Sequence, residues 1–383
     1  MAKIIHVITR MIRGGADENT LLSCNAQAEN GHDVVLIYGD EVDHGILSLL
    51  DIRVRRHQVK TMIRNIDLVR DARSIISLIR ILFRERPDIV HTHTSKAGIL
   101  GRVAALFGGG RVVHGVHILP FLNVKWSERS LYLFLERLLA PITHAYINVS
   151  DGMMKEGLRY RVGAARKHHV VPSGMDVAKF REAAPIDDDE ALRTLGTSLA
   201  GSKIICMVAA LEPRKRIFEF LDVLAEVRRT SPETCLIVLG EGHDRSRLQQ
   251  RIDALGLNKS AFLVGFRADV ERWIARADVC VLASEREGLP RAIIQYVLGG
   301  RPVVSTDLPG VDAVVGDGES GYLVPVANVA AMISPLVTLL SDEDLRASFA
   351  RRAAMRDLSR WSSANMASEL ETIYSNLLKS SVA

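Results

Sequence analysis

Glu287 stands where a carboxylate can do chemistry, at a turn between a strand and a helix. Val279 to Ala283 form an apolar run of strand length, and Glu287-Gly288-Leu289-Pro290 has the composition of a turn. A helix is expected from Arg291 to Leu298, stopped by Gly299-Gly300, before a second strand opens at Pro302. In such a βαβ unit ligands gather beyond the carboxyl ends of the strands, where a helix N-terminus offers unpaired N–H groups to an anion or a sugar hydroxyl. Cations follow another strand-like run, Lys203 to Val208, in Ala209-Ala210-Leu211-Glu212-Pro213-Arg214-Lys215. That position suits an anionic ligand, although an Arg-Lys-Arg run taken alone is an ordinary solvated one. Gly14-Gly15 follows the run Lys3 to Ile8 and would let a backbone amide approach a phosphate, because glycine has no Cβ and tolerates positive φ. Most such pairs are merely turns.

Histidines form a further set. His91-Thr92-His93-Thr94-Ser95-Lys96 follows the buried run Ile89-Val90, and His114 and His117 sit in VVHGVHILPF. Four histidines raise the question of zinc, but His-x-His at a strand end, with no nearby cysteine or carboxylate set, is poor metal spacing, and no metal is expected. His91 and His114 are equally suited to ordering their loops by hydrogen bonding. Asp278 reads as a turn residue bonding its own backbone, and Asp187-Asp188-Asp189 as solvated acids.

The elements that must position these residues repeat. Strand, loop, helix and strand run from Lys3 to Tyr38, and the same order returns from Lys203 to Leu239. Alternation of strands and helices through both halves predicts parallel sheets covered on both faces, an α/β fold. A length of 383 residues suits two domains, expected over 1–180 and 200–360, joined by a polar, turn-prone linker around 176–200 and followed by a helix over 361–383. Apolar residues make up 48% and charged residues 25%, which is globular, and no run approaches the roughly 18 apolar residues of a membrane span. The apolar run before Arg10 is too short for a signal-peptide core, so a cytoplasmic protein is expected. Cys24, Cys206, Cys235 and Cys280 form no CxxC pair and read as reduced core residues. The net charge of +4 is modest, and no nucleic-acid partner is expected, yet Arg53 to Arg86 holds ten Lys or Arg against Asp67, Asp71 and Glu85. Apolar residues there fall at helical spacing, from Ile66 to Phe83. Such a helix either lies on an anionic membrane surface or packs one face on a sheet with its arginines in water.

Several of these segments resemble retaining glycosyltransferases of the family 4 type, whose motif runs Glu, seven residues, Glu, within SxxEGxP and a following GxPVV. Glu287 matches the first Glu, while Gln295 stands in place of the second. HTHTSKAG from His91 resembles the family's HTHxSKAG, and VVHGVHILPF resembles HTVHGFPF with Ile118 in place of the usual Gly. Gly14-Gly15-Ala16-Asp17 is similar to the GGAE/GGAQ loop, VPSGMD from Val171 to VPNGID, and Gly240-Glu241-Gly242 to the GxG turn beside the nucleotide. Gly265-Phe266-Arg267 resembles the backbone edge that meets the base, and the resemblance spans nearly the whole chain.

The resemblance implies the GT-B architecture: two Rossmann-like domains facing a cleft, with the last helix crossing back to the first. It implies transfer of a sugar, with retention, from a nucleotide-diphosphate sugar to a lipid-linked or oligosaccharide acceptor. The setting would be polysaccharide, lipopolysaccharide or other envelope glycan synthesis at the inner face of the cell membrane, without a metal or cofactor. By the same resemblance Lys215 meets the leaving phosphate, Arg214 substitutes for an arginine whose usual place is Ala210, and the Gly15 amide assists. Glu287 and His117 would hold the sugar near its reacting carbon, and Gln295 the ribose. Gly240, Gly242, Phe266, Arg267, Gly288, Leu289 and Arg291 would complete the donor side, with His93, Ser95 and Lys96 on the acceptor side. Two other readings remain open. One is a nucleotide-sugar epimerase on the same fold; the other, prompted by Gln295 and Ala210, is a non-catalytic sugar-nucleotide-binding partner.

Overall fold

A computed structural model describes residues 1–12, 14–121, 126–287 and 290–379. Arg13 of the first loop, and Gly288 and Leu289 of the turn after Glu287, lie outside the described residues. The apolar runs form strands buried on both faces, which is why they carry little polar alternation. Among the described residues the first unit holds β1 (Lys3–Ile8), β2 (Asp33–Tyr38), β3 (Arg55–Gln58), β4 (Ile89–His93), β5 (Arg111–Val116), β6 (Ala145–Asn148) and β7 (His168–Val170). They pair in parallel in the order β3-β2-β1-β4-β5-β6-β7. The second unit holds β8 (Lys203–Val208), β9 (Thr234–Leu239), β10 (Ala261–Gly265), β11 (Val279–Leu282), β12 (Val303–Thr306) and β13 (Gly321–Val324), parallel in the order β10-β9-β8-β11-β12-β13. In each sheet the winding reverses once, between β1 and β4 and between β8 and β11. At such a reversal neighbouring loops part and leave room for a ligand beyond the strand ends.

The helices that bear on function are α1 (Gly15–Glu29), α2 (Leu68–Glu85), α3 (Ser95–Gly108), α4 (Asp188–Leu195), α5 (Ile217–Thr230), α6 (Arg291–Leu298) and α7 (Ser363–Lys379). Asp67 caps α2, its carboxylate accepting from the Val69 and Arg70 amides, and Arg86 closes the helix in a left-handed conformation before Pro87. Leu78 and Leu82 of α2 are buried, with Ile75 and Ile79 packed beside them. Its other face exposes Arg70, Arg73, Arg80 and Arg84 together with Val69, Ile76 and Phe83. Arg55, counted in the same basic stretch, lies on β3 and is paired with Asp33 and Glu85.

The first unit comprises residues up to Met175 and those from Ser359 onward, and the second runs from Asp176 to Leu358. The α7 side chains Met366, Leu370, Ile373 and Tyr374 are buried among Ile4, Ile89, Val113, Ile147 and Val171 of the first sheet and its edge. Each buried aliphatic side chain contributes about 2 kcal/mol to that docking. The stretch 176–200 departs from the expected linker. It is folded into the second unit, with Ile186, Ala191 and Leu199 buried and Arg272 on Glu190 at 2.7 Å. The acidic run is polar for a local reason: Asp187 caps α4, accepting from the Glu190 amide at 2.7 Å, and acids in a first turn favour the helix N-terminus.

Candidate active site

In the second unit the site grows from the reversal between β8 and β11. The loop after β8 makes one 3-10 turn, Pro213–Lys215, and Arg216 then takes a left-handed φ of 54° to launch α5. The loop after β11 carries Ser284 and Glu287, and the Glu285 amide donates to the Arg214 carbonyl at 2.8 Å. The Lys215 ammonium therefore pairs with Glu287 Oε1 across 72 residues of sequence. Arg214 Nη1 meets Glu287 Oε2 at 3.1 Å, Ser284 Oγ donates to Oε1 at 2.7 Å, and Arg214 Nη2 reaches Glu212 at 2.5 Å. The side chains of Lys215 and Glu287 are only 11% and 10% exposed. Burial alone would raise the Glu287 pKa, but Lys215, Ser284 and Arg214 outweigh it and hold the carboxyl below its ordinary range. The largely buried Lys215 and Glu287 and the partly exposed Arg214 thus share one site, which can receive a diphosphate on the cations and hydroxyls on the carboxylate.

Around it the donor-side candidates take varied roles. A Cβ on Gly240 would stand 2.0 Å from the Ala209 carbonyl oxygen, and one on Gly242 would stand 2.3 Å from that of Leu211. Glycine is required because the Glu241 turn lies directly against the loop that carries Lys215. The Gly240 amide donates to the Gly265 carbonyl at 2.8 Å, which ties the next loop to the same edge. Phe266 is 45% exposed there. Arg267 forks onto Asp269 at 2.7 and 2.6 Å and lies over the Trp273 ring, so its guanidinium serves the unit's own structure and leaves the backbone edge as what this position offers. Arg291 opens α6 and Gln295 follows on it, both half-buried. Tyr296 fixes α6 by accepting from the Val208 amide at 2.7 Å and donating to the Val281 carbonyl at 3.2 Å.

In the first unit Gly15 opens α1 behind Gly14, whose φ of −140° is extended backbone. Neither glycine adopts positive φ, so the expected use of left-handed freedom is corrected; a Cβ on Gly14 would stand 3.1 Å from Asp17 Oδ2. Asp17 lies buried under it, accepting from the Ile12 amide, and burial pushes its pKa up to about 7 against the pull of Arg10. Parallel pairing sets His6 opposite His91 and His93 opposite Gly115, which brings four positions to one face. A Cβ on Gly115 would be 3.0 Å from His93 Nδ1 and 3.2 Å from both His117 Nε2 and His91 Nε2, so glycine makes room for three rings. His93 Nε2 lies 2.8 Å from His6 Nδ1, and His93 Nδ1 lies 3.1 Å from His117 Nε2. Burial, with smaller contributions from neighbouring rings or Arg102, pushes His91, His93 and His114 well below the ordinary histidine range. His114 bonds Thr92 at 2.9 Å on the opposite face and orders its strand end.

Ser95 starts α3, preceded by Thr94 at an unusual φ of 61°. Lys96 meets Asp71 at 2.6 Å and the Asn65 carbonyl, so this acceptor-side candidate is occupied in fastening α2. Sequence reasoning missed Ser284, Glu212, His6, Gln27 and Tyr374. Of these, His6 carried a signal, a histidine inside an otherwise apolar strand. His6, His91 and His93 bring three ring nitrogens within 4.8 Å, a spacing a divalent metal can use. The donor set fits poorly: His6 and His93 already share a proton, and the group holds no thiolate or carboxylate to offset a buried cation.

Comparison with known proteins agrees with this arrangement. Residues 13–179 match the model described as Glycosyltransferase Family 4, and residues 190–356 match that described as Glycosyl transferases group 1. The chain is 30% identical over 348 residues to the UDP-Gal:alpha-D-GlcNAc-diphosphoundecaprenol alpha-1,3-galactosyltransferase of Escherichia coli, covering 90% of this chain and 89% of that one. It is 24% identical over 323 residues to the capsular polysaccharide biosynthesis glycosyltransferase CapM of Staphylococcus aureus, covering 84% and 85%. Among solved structures, Anabaena HepE in complex with UDP and glucose matches with a TM-score of 0.83 at 19% identity, over 98% of this chain and 100% of that chain. With two Rossmann-like units, the paired motifs and a relative alike over nine-tenths of its length, the chain belongs to the family 4 type of GT-B glycosyltransferases.

Proposed function

We propose that this glycosyltransferase moves a hexosyl group from a UDP-sugar to a sugar carried on a polyprenyl diphosphate, with retention and without a divalent metal. The observation that carries the reading is the Lys215–Arg214–Glu287 constellation, which supplies fixed positive charge for a diphosphate beside a carboxylate for hydroxyls. Its resemblance to an enzyme that uses UDP-galactose and a lipid-diphosphate acceptor supports the choice of substrates. In the step itself the bond from the anomeric carbon to the phosphate oxygen breaks and a bond to the acceptor oxygen forms on the same face. The leaving phosphate oxygen takes the acceptor's proton, so no enzymic nucleophile is needed. Lys215 and Arg214 stabilise charge growing on the diphosphate, and at the largely buried Lys215 such preorganised charge acts strongly. Glu287 orients the sugar.

The test is direct. The purified full-length protein is incubated with a panel of UDP-sugars and an N-acetylglucosaminyl diphosphate lipid, with and without EDTA, and the product's anomeric configuration is read by NMR. An α-linked product that forms equally with EDTA is expected. An inverted product, loss of activity with EDTA, or tight UDP-sugar binding without turnover would each overturn the reading. The acceptor would be met at an anionic membrane, approached from the cytoplasm by the exposed face of α2. Among the described residues no helix is long and apolar enough to cross a membrane.

A further inference from the structure

The two central strands of the second sheet separate where the site begins. β8 and β11 pair through Ile205 with Val279 and through Cys206 with Cys280. On their outer sides the ladders run further: β8 stays paired with β9 as far as Val208 and Leu239, and β11 with β12 as far as Leu282 and Ser305. Between the separating strands lies the hydroxyl of Tyr296, a fully buried side chain of α6. Its Oη accepts from the Val208 amide of β8 at 2.7 Å and donates to the Val281 carbonyl of β11 at 3.2 Å. An amide N–H only donates and a carbonyl only accepts, so both roles of the hydroxyl are fixed. A direct bond between the strands would span about 2.9 Å from nitrogen to oxygen, and two bonds in series through a phenolic oxygen span more.

That separation bears on the site because the loops that meet there start beside it. Val208 leads into the loop of Arg214 and Lys215, and Leu282 into that of Ser284 and Glu287. The ring is carried by α6, which opens just after the Glu287 turn and is anchored by the fully buried Ile293, Ile294 and Val297. Further along, the two loops touch through the Glu285 amide on the Arg214 carbonyl at 2.8 Å and through Lys215 on Glu287. A water could make the same two bonds at the foot of the loops, but it could also leave. A hydroxyl held by a buried helix cannot.

We infer that Tyr296 is a positioning residue whose hydroxyl sets the spacing of β8 and β11 and so holds Lys215 and Glu287 in place for the donor. The inference rests on the reading of Lys215 and Glu287 as the donor clamp proposed above. Tyr296 touches no substrate and acts only through the strands that lead to the two loops. It also makes α6 a spacer between the central strands, in addition to a carrier of Arg291 and Gln295.

The bridge can be read without substrate. In full-length protein with labelled valine and tyrosine, NMR should show the Tyr296 hydroxyl proton close to the Val208 amide proton, and that amide should exchange slowly with deuterium. A fast-exchanging Val208 amide, or no such contact, would overturn the bridge. Tyr296→Phe removes the oxygen alone, and should speed Val208 exchange and lower kcat about tenfold through misplacement of Lys215 and Glu287. A purely structural role would lower the urea midpoint and leave kcat per folded molecule unchanged, and that result would refute the inference. Adding Lys215→Ala to Tyr296→Phe should cost less than the product of the two single losses in kcat, because the hydroxyl acts through the clamp. Independent, multiplicative losses would count against it equally. 4-Aminophenylalanine at position 296 keeps a donor for Val281 and a lone pair for Val208, and should return kcat to within about threefold of the unaltered protein. A kcat no higher than that of Tyr296→Phe would overturn the role of the hydroxyl. Should Tyr296→Phe not fold, the amino variant and the Val208 contact decide. Lys215→Ala separates the two readings: full activity there refutes the clamp, whereas the Val208 contact in the unaltered protein judges the bridge alone.

Discussion

Lys215 and Glu287 satisfy each other before any ligand arrives, and this determines how their variants should behave. Lys215→Ala removes a preorganised charge and should raise the barrier to transfer on the order of 3 kcal/mol. It also strands a largely buried carboxylate, so the fold should lose about 1 to 3 kcal/mol as well. Glu287→Gln frees Lys215 and Arg214 for the diphosphate, so UDP affinity by calorimetry should hold or rise while transfer falls. The double variant should recover part of the stability lost in Lys215→Ala, with a coupling of about 1 kcal/mol in urea unfolding, and none of the activity. Additive stability costs would refute the pairing. Gln295→Glu should tighten UDP-sugar binding by about 1 kcal/mol, because a carboxylate accepts from a ribose diol more strongly than an amide does. Weaker binding would show that the position does not face the ribose. Glu287 and Lys215 were legible because each follows a buried strand, and a strand end in an α/β sheet announces a site. Their partners were not. Ser284, Glu212 and Gln27 follow no period, and only the folded chain shows what a short polar side chain reaches.

At the scale of elements, α2 combines a buried stripe with an exposed face of Arg70, Arg73, Arg80 and Arg84 beside Val69 and Phe83. Helical periodicity disclosed the stripe, whereas the ion pairs of Arg55 needed the sheet register, since β3 lies beside β2 only once the sheet is wound. Lys96 on Asp71 shows that α2 is held to the end of β4, so its exposed face is presented by a fixed element. Each basic residue near an anionic bilayer adds about 1 kcal/mol at most, so several must act together. Co-sedimentation should show binding to anionic vesicles but not to neutral ones, weakened by salt and by reversing Arg64, Arg70 and Arg73 together. An absence of binding at low salt would assign α2 to packing alone and point to a soluble acceptor. The stretch 176–200 carries the opposite lesson. Its acids and Pro185 read as a linker, yet α4 forms because those acids cap and precede a helix that buries Ala191 while the flanking Ile186 and Leu199 are buried as well.

On the scale of the whole molecule, the two units differ in how they hold protons. The first buries His6, His91, His93 and His114, all pushed down in pKa by burial, while His243 is the single histidine between Asp176 and Leu358. A histidine with a lowered folded pKa stays neutral in the folded state while the unfolded chain takes up a proton below about 6.5. Stability from this source is complete above that pH and is lost as pH falls toward the folded value, about 4 for His6. Each such group costs about 1.4 kcal/mol per pH unit within its window. Asp17 works in the other direction: with a folded pKa near 7 it binds a proton that the unfolded chain releases above 3.8, so it adds stability as pH falls through the same window. One buried acid offsets one histidine, and the remaining histidines leave the first unit acid-sensitive. Urea unfolding between pH 7.5 and 4.5 should therefore separate two transitions that a single two-state fit cannot describe. The transition of the first unit should move steeply with pH. The second, followed by the fluorescence of the buried Trp273, should move little until its carboxylates titrate. His6→Asn should flatten the first slope by about one proton, and equal slopes for both units would show that the histidine cluster is not held neutral.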